Sequence, residues 1–157
     1  MPNKTSSMEW LRIAFHDLQS ANILFKANHF TDSIGNDLQQ ALEKILKSIP
    51  AYNSQKIKKS HDLVEIYESL DTTLSLTDEE LMFLELASDY FKEDRYPNPY
   101  YSLPPKDEVK QVLDFTDDIF LRVCTMLGID PEEVKNFKAI LEFKRHIFKF
   151  IIHFILL

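Results

Sequence analysis

The residues best suited to chemistry lie together in the stretch DYFKEDRYPNPYYS, residues 89–102. This stretch contains Arg95 and four of the six tyrosines in the chain. A guanidinium group offers a planar pair of N–H donors to phosphate, and a tyrosine ring can stack on a nucleobase. We therefore predict that the ligand-binding residues of this stretch are Arg95, Tyr96, Tyr100 and Tyr101. The alternative is that Arg95 binds carboxylates or carbonyl groups near a helix end while the tyrosines cover the core.

A second group of polar residues follows helical spacing. Asp37, Gln40, Lys44 and Lys47 are separated by steps of three, four and three, which places their side chains in one row on a helix. One interpretation is a solvated face with ion pairs along it. The other is a cationic strip, in which Lys44 and Lys47 line a ligand groove beside Arg95.

The densest group of basic residues comes just after this helix, at Lys56, Lys58, Lys59 and His61. Lysines in a loop before a helix could contact phosphate. The alternatives are a solvated loop and, for His61, a capping or packing role at the start of the next helix. We include His61 among the predicted ligand-binding residues.

Other kinds of site are disfavoured by composition. Two glycines, Gly35 and Gly128, cannot make a glycine-rich phosphate loop, and a single cysteine, Cys124, excludes an internal disulfide and a cysteine-rich zinc site. His146 and His153 are seven residues apart with no carboxylate between them, so they do not form a usual metal ligand set. The sequence therefore predicts no metal or cofactor and does not indicate a conventional enzyme.

The formal net charge of −7 disfavours broad binding to duplex nucleic acid, which needs many phosphate contacts. The N-terminal residues MPNKTSSMEW lack the apolar core of a signal peptide. The apolar C-terminal run is interrupted by Lys149 and His153 and is shorter than the ~20 residues of a spanning helix. We therefore expect a cytoplasmic protein that does not enter the membrane.

Nearly every segment has the apolar periodicity of a helix. The first helix is predicted to begin near the capping box of Ser6 and Glu9, and the second to end at Pro50. A short third helix is expected from His61 to about residue 70. Thr77 and Glu80 form a capping box for the fourth helix, which leads into residues 89–102.

A fifth helix is predicted from Pro104–Pro105 to Gly128, and a sixth from the start signal Asp130-Pro131-x-Glu133 to the end of the chain. The end of the sixth helix has three adjacent apolar columns, so we expect this chain or a second copy to bury it. The predicted fold is all-α, an antiparallel up-and-down bundle of five to six helices. Residues 1–128 would form the bundle and residues 129–157 an additional helix.

Four motifs in this order resemble the HEPN family, named for higher eukaryotes and prokaryotes nucleotide-binding. They are WLRIAFHDLQSANIL, the run from Gln39 to Lys47, Ser60-His61-Asp62-Leu63, and Arg95-Tyr96-Pro97. The resemblance covers about residues 8–127. It implies a helical bundle that pairs as a homodimer. It also implies either a ribonuclease with an Arg-x4-6-His motif, often a toxin, or a non-catalytic partner of a small nucleotidyltransferase.

This chain departs from the nuclease pattern because no histidine occurs within seven residues after Arg95. The resemblance therefore favours a homodimeric nucleotide- or RNA-binding module, paired with a separately encoded minimal nucleotidyltransferase in a toxin–antitoxin-like system. One alternative is a metal-independent ribonuclease in which Arg95, Tyr100 and His61 act in an altered site. Another is a structural interaction protein that docks through its last helix.

Overall fold

The computed structural model describes residues 2–93 and 102–136, and only the backbone of residues 91–93. Within these ranges the chain forms six helices and no strand. The helices are α1 (Lys4–Lys26), α2 (Thr31–Tyr52), α3 (Leu63–Glu68), α4 (Asp78–Glu93), α5 (Lys106–Met126) and α6 (Pro131–Lys135). The prediction of an all-α helical bundle is confirmed.

Helix α2 lies at the centre of the bundle, where it contacts α1, α3, α4 and α5. From Gln39 to Ala51 every residue of α2 is buried except Gln40 and Lys44. The small helices flank this core on two sides, since α3 packs on α2 and α4, whereas α6 packs on α1 and α5. Any side chain of α2 that reaches solvent must therefore do so between two neighbouring elements.

Side-chain caps determine where the helices begin. The Thr77–Glu80 capping box is confirmed, because each backbone N–H donates to the other residue's side chain, at 2.8 and 3.2 Å. The box predicted at Ser6 is wrong, since Asn3 accepts from the Ser6 N–H and α1 begins at Lys4. Asp62 caps α3, so this helix begins at Leu63 and not at His61.

Three helices end in the same way, with a left-handed residue just beyond the last turn. These residues are Asn28 after α1, Ser54 after α2 and Gly128 after α5, with φ of 52°, 54° and 60°. After α5, the Ile129 N–H donates to the Cys124 carbonyl at 2.9 Å, which completes a Schellman motif. The predicted end at Gly128 is confirmed. The predicted end at Pro50 is wrong, because α2 continues to Tyr52.

A close helix–helix approach occurs where α4 crosses the start of α2. A Cβ atom at Gly35 would lie 2.8 Å from Cδ2 of Tyr90, so only glycine leaves room for this ring. Tyr90 is buried and its hydroxyl donates to Glu108 Oε1 at 2.7 Å. Burial, together with the Glu108 carboxylate, raises the pKa of Tyr90. These contacts fix the second half of α4 against α2 and α5.

The start of the last helix follows the predicted signal. Asp130 accepts from the Glu132 N–H at 2.9 Å, and Pro131 occupies the first turn of α6. The predicted continuation of this helix and its apolar columns lie outside the described residues, and the division of the chain at residue 128 stays a prediction. None of the helices, as far as they are described, combines the length and the hydropathy of a membrane-spanning segment.

Candidate functional site

A row of three polar side chains is buried in α2. Gln39, Glu43 and Lys47 follow one another at steps of four and are 0%, 7% and 7% exposed. Lys47 Nζ donates to Glu43 Oε1 at 2.7 Å, and Gln39 Nε2 donates to Glu43 Oε2 at 3.0 Å. Buried charges are stable in proteins only when they are paired and hydrogen-bonded, and this row meets both conditions.

The buried row holds the segment that precedes α3. Lys47 Nζ donates to the Ser60 carbonyl at 2.9 Å, and Gln39 Nε2 donates to the His61 carbonyl at 3.1 Å. His61 Nδ1 lies 3.1 Å from Glu43 Oε2, while 61% of the His61 side chain is exposed. The imidazole is therefore positioned by a buried carboxylate, while much of its surface reaches solvent.

The electrostatics of Glu43 match this arrangement. Burial on its own would raise the pKa of Glu43, but hydrogen bonds from Lys47, His61 and Gln39 outweigh burial and lower the pKa below its usual value. Glu43 is consequently a carboxylate at neutral pH. It can orient the His61 ring.

The outer side of the same segment is held by Glu65. Its Oε2 accepts from Ser60 Oγ at 2.6 Å, and its Oε1 lies 2.8 Å from Lys58 Nζ. The Lys58 and Ser60 contacts lower the pKa of Glu65. Behind this, the Leu63 N–H donates to Ser88 Oγ at 2.9 Å, which ties the start of α3 to α4. The Ser60–Leu63 motif is thus attached to both neighbouring helices.

Lys44 is linked to this cluster only through two glutamines, since Gln40 Nε2 donates to Gln39 Oε1 at 2.7 Å. Its Nζ lies 2.5 Å from Asp17 Oδ2 on α1 and donates to Gln40 Oε1 at 3.1 Å. Asp37 belongs to the same side of α2, where burial and the Asp17 charge raise its pKa against the opposing effect of Lys44. The predicted row of four residues is therefore divided between two neighbouring rows of α2, one that contains Lys47 and one that contains Lys44 and Asp37.

The structure brings some of the predicted site residues together and separates others. Lys47 and His61 come together at Glu43, whereas Lys44 lies in the neighbouring row and pairs with Asp17. Arg95, together with Tyr96, Tyr100 and Tyr101, lies outside the described residues. Glu43 and Gln39 were missed as members of the site, although their four-residue spacing before Lys47 was a usable signal.

A cleft of about 570 Å³ between α3 and α4 carries the opposite charge. Its lining includes Asp62, Glu65, Glu68, Glu85 and Asp89. This acidic lining contrasts with the lysines of the loop before α3. Within residues 2–93 and 102–136, no group of His, Cys, Asp and Glu side chains is arranged to hold a metal ion.

The one cysteine offers no nucleophile. Cys124 is buried in α5, and burial raises the pKa of its thiol to about 11. The thiol is therefore protonated and unreactive near neutral pH.

Two solved structures share this fold. The crystal structure of TT1696 from Thermus thermophilus aligns with a TM-score of 0.64 and 20% identity, over 74% of this chain and 94% of TT1696. ST0689, described as an archaeal HEPN homologue, aligns with a TM-score of 0.59 and 17% identity, over 77% of this chain and 97% of ST0689. At these identities the similarity establishes the fold.

A sequence relative comes from Methanocaldococcus jannaschii, a protein named "Putative toxin MJ1304". The two are 28% identical over 99 residues, which make up 59% of this chain and 64% of the relative's length. The model of the HEPN domain matches residues 7–145, which is most of the chain. The protein belongs to the HEPN domain family.

Proposed function

We propose that this HEPN protein is a binding module for a nucleotide or single-stranded RNA. In this proposal it acts as a cytoplasmic homodimer beside a separately encoded minimal nucleotidyltransferase, in a toxin–antitoxin-like pair. The observation that carries the proposal is the exposed His61 imidazole, held by the buried Glu43 cluster at the end of a loop with three lysines. The similarity to a protein named as a toxin supports the toxin–antitoxin setting.

The geometry around His61 suits recognition of a phosphate or a base. A histidine that pairs with a carboxylate through Nδ1 directs Nε2 away from that carboxylate, which fixes the orientation of the ring. The ring is also a surface on which a base can stack. Arg95, which follows the last residue of α4 by two positions, would supply a bidentate phosphate contact, and Tyr96, Tyr100 and Tyr101 would stack on bases.

The His61–Glu43 pair also favours a second candidate, a metal-independent ribonuclease. A histidine oriented by a carboxylate is a common general base. His61 would accept the proton of a ribose 2′-hydroxyl, whose oxygen attacks the adjacent phosphorus. The bond to the 5′-oxygen breaks, and that oxygen takes a proton from Tyr100 or water, with Arg95 neutralising charge on the phosphate.

One experiment separates these candidates. The full chain and its Arg95→Ala and His61→Ala variants are incubated with labelled single-stranded RNA in the presence of a chelator, and both retention and cleavage are scored. His16→Ala is the control, because His16 is an exposed histidine of α1. We expect retention without cleavage, weakened about tenfold in the two site variants, which equals ~1.4 kcal/mol.

The other outcomes have clear meanings. RNA cleavage by the wild type that is lost in Arg95→Ala or His61→Ala would establish that the protein is a ribonuclease. Absence of any RNA effect, followed by absence of nucleotide binding in calorimetry, would contradict the binding module. Sedimentation of the protein alone tests the homodimer, and sedimentation of its mixture with a purified minimal nucleotidyltransferase tests the partner.

A further inference from the structure

The loop between α2 and α3 concentrates positive charge on an acidic protein. Lys56, Lys58 and Lys59 occupy three of four consecutive positions, and all three are exposed, while the chain as a whole has a net charge of −7. We refer to residues 56–59 as the basic loop. A local excess of this kind attracts anions even when the molecule is negative overall.

Much of this charge is not neutralised by the protein itself. Lys58 pairs with Glu65 at 2.8 Å, and the same carboxylate also accepts from Ser60. Lys56 and Lys59 make no ion pair with any residue in the described part of the chain. Two ammonium groups of the basic loop are therefore available to a ligand.

The basic loop borders space for such a ligand. A cleft of about 450 Å³ is lined by the four residues of the loop and by Ser69. A second cleft, of about 250 Å³, continues from it between the end of α2 and α3, and shares Lys56, Lys58 and Ser69 with the first. Both clefts adjoin α3 on the lysine side, and the acidic cleft of Asp62 and Asp89 adjoins α3 and α4.

The ends of the loop are anchored, which holds the lysines in place before binding. At one end the Gln55 N–H donates to the Pro50 carbonyl at 2.9 Å. At the other end Lys47 Nζ donates to the Ser60 carbonyl at 2.9 Å, and the Asp62 N–H donates to Ser60 Oγ at 3.1 Å. A ligand that binds here loses less affinity to ordering of the loop.

We infer that the basic loop and its two clefts form a phosphate-binding track for single-stranded RNA that continues from His61. Lys59 lies two residues from His61, which is at most ~7 Å between Cα atoms. An RNA strand held at His61 thus meets Lys59 and Lys56 with its neighbouring phosphates. The inference rests on the proposed function. It adds that the RNA runs from His61 along the basic loop, away from the acidic cleft between α3 and α4.

The test is the salt dependence of binding. Each lysine that contacts a phosphate of single-stranded RNA contributes ~0.7 to the slope of log affinity against log salt concentration. For the full-length variant Lys56→Gln/Lys59→Gln we expect binding of an oligouridylate to weaken about tenfold in low KCl and the slope to fall by about 1.4. Lys56→Arg/Lys59→Arg keeps both charges and should retain the wild-type slope.

The matched control is Lys110→Gln/Lys135→Gln, which removes the same charge from α5 and α6, helices that pack away from α3. It should leave the slope unchanged, and circular dichroism checks that all variants are folded. An equal fall in slope for both double variants would mean that only net charge matters, which overturns the inference.

Two further results separate this inference from the proposed function. If Arg95→Ala weakens RNA binding but Lys56→Gln/Lys59→Gln does not, the binding module stands and the track is wrong, which leaves the loop for an acidic protein partner. If the lysine variant weakens ATP and oligouridylate equally in calorimetry, the lysines bind a single nucleotide and the track is again wrong. Absence of RNA binding by the wild type at every salt concentration overturns both.

Discussion

Lys44 and Lys47 are one turn apart in α2, yet their surroundings differ in nearly every respect. The Lys47 side chain is 9% exposed, pairs with Glu43 in its own helix and holds the Ser60 carbonyl. The Lys44 side chain is 19% exposed and pairs with Asp17 on α1. The difference arises because the segment before α3 covers Lys47, whereas Lys44 faces α1. For these two lysines of α2, the neighbouring element determines the burial and the ion-pair partner of the side chain.

The largest effect is expected from removing the buried charge. Lys47→Met keeps the length of the side chain but removes the buried ammonium that pairs with Glu43 and the donor to the Ser60 carbonyl. We expect a loss of about 3 kcal/mol in the free energy of unfolding, measured by urea denaturation. A loss no larger than that of Lys44→Met would contradict the distinction between the two lysines.

A double variant tests whether the stranded Glu43 carboxylate causes this loss of stability. Adding Glu43→Leu to Lys47→Met removes the stranded carboxylate, and burial of apolar groups in its place is favourable. The double variant should therefore be more stable than Lys47→Met alone. If it is less stable, the stranded charge is not the cause of the loss.

A smaller effect is expected for Lys44→Met. Its pair with Asp17 is partly solvated, and pairs of this kind contribute about 0.5 kcal/mol. The loss should shrink when salt is added, since solvent-exposed charges are screened. Urea denaturation in low and high NaCl measures it, and a loss above about 2 kcal/mol would show that this side of α2 is as critical as the other.

The smallest effect concerns the pH dependence of stability, to which Glu43 and Asp37 should contribute in opposite directions. The folded pKa of Glu43 is lowered, so its contribution to stability is present above its unfolded pKa and is lost as pH falls through the folded value. The folded pKa of Asp37 is raised, so its charge opposes folding at neutral pH and this penalty disappears as pH falls. Asp37→Asn should therefore stabilise the protein slightly at neutral pH and have no effect in acid, as followed by thermal unfolding across the pH range. A destabilised Asp37→Asn at neutral pH would reverse this assignment.

The helix order could be predicted from the sequence because apolar periodicity and strong caps point the same way. The Thr77–Glu80 box, the Asp130–Pro131 start and the Gly128 end are all local signals, and the structure contains each of them. The family could also be identified from four motifs in order.

Other features depended on tertiary context. Asn28 and Ser54 end their helices with positive φ, which is less usual outside glycine, so neither was predicted. Pro50 looked like a stop, but a proline in the last turn removes only one N–H donor, and α2 passes through it. Lys44 and Lys47 were predicted to share one surface because their spacing places them close together on α2. Spacing alone does not show that the segment before α3 covers Lys47 and leaves Lys44 facing α1.

The Gly35–Tyr90 contact has a consequence for how the sequence of this protein can change over time. The Tyr90 ring occupies the space that any side chain at position 35 would need, and its hydroxyl is bound to Glu108. A larger residue at 35 is tolerated only after a smaller one has replaced Tyr90, and the order of the two changes matters. We therefore expect positions 35 and 90 to change together, although they are 55 positions apart in the chain.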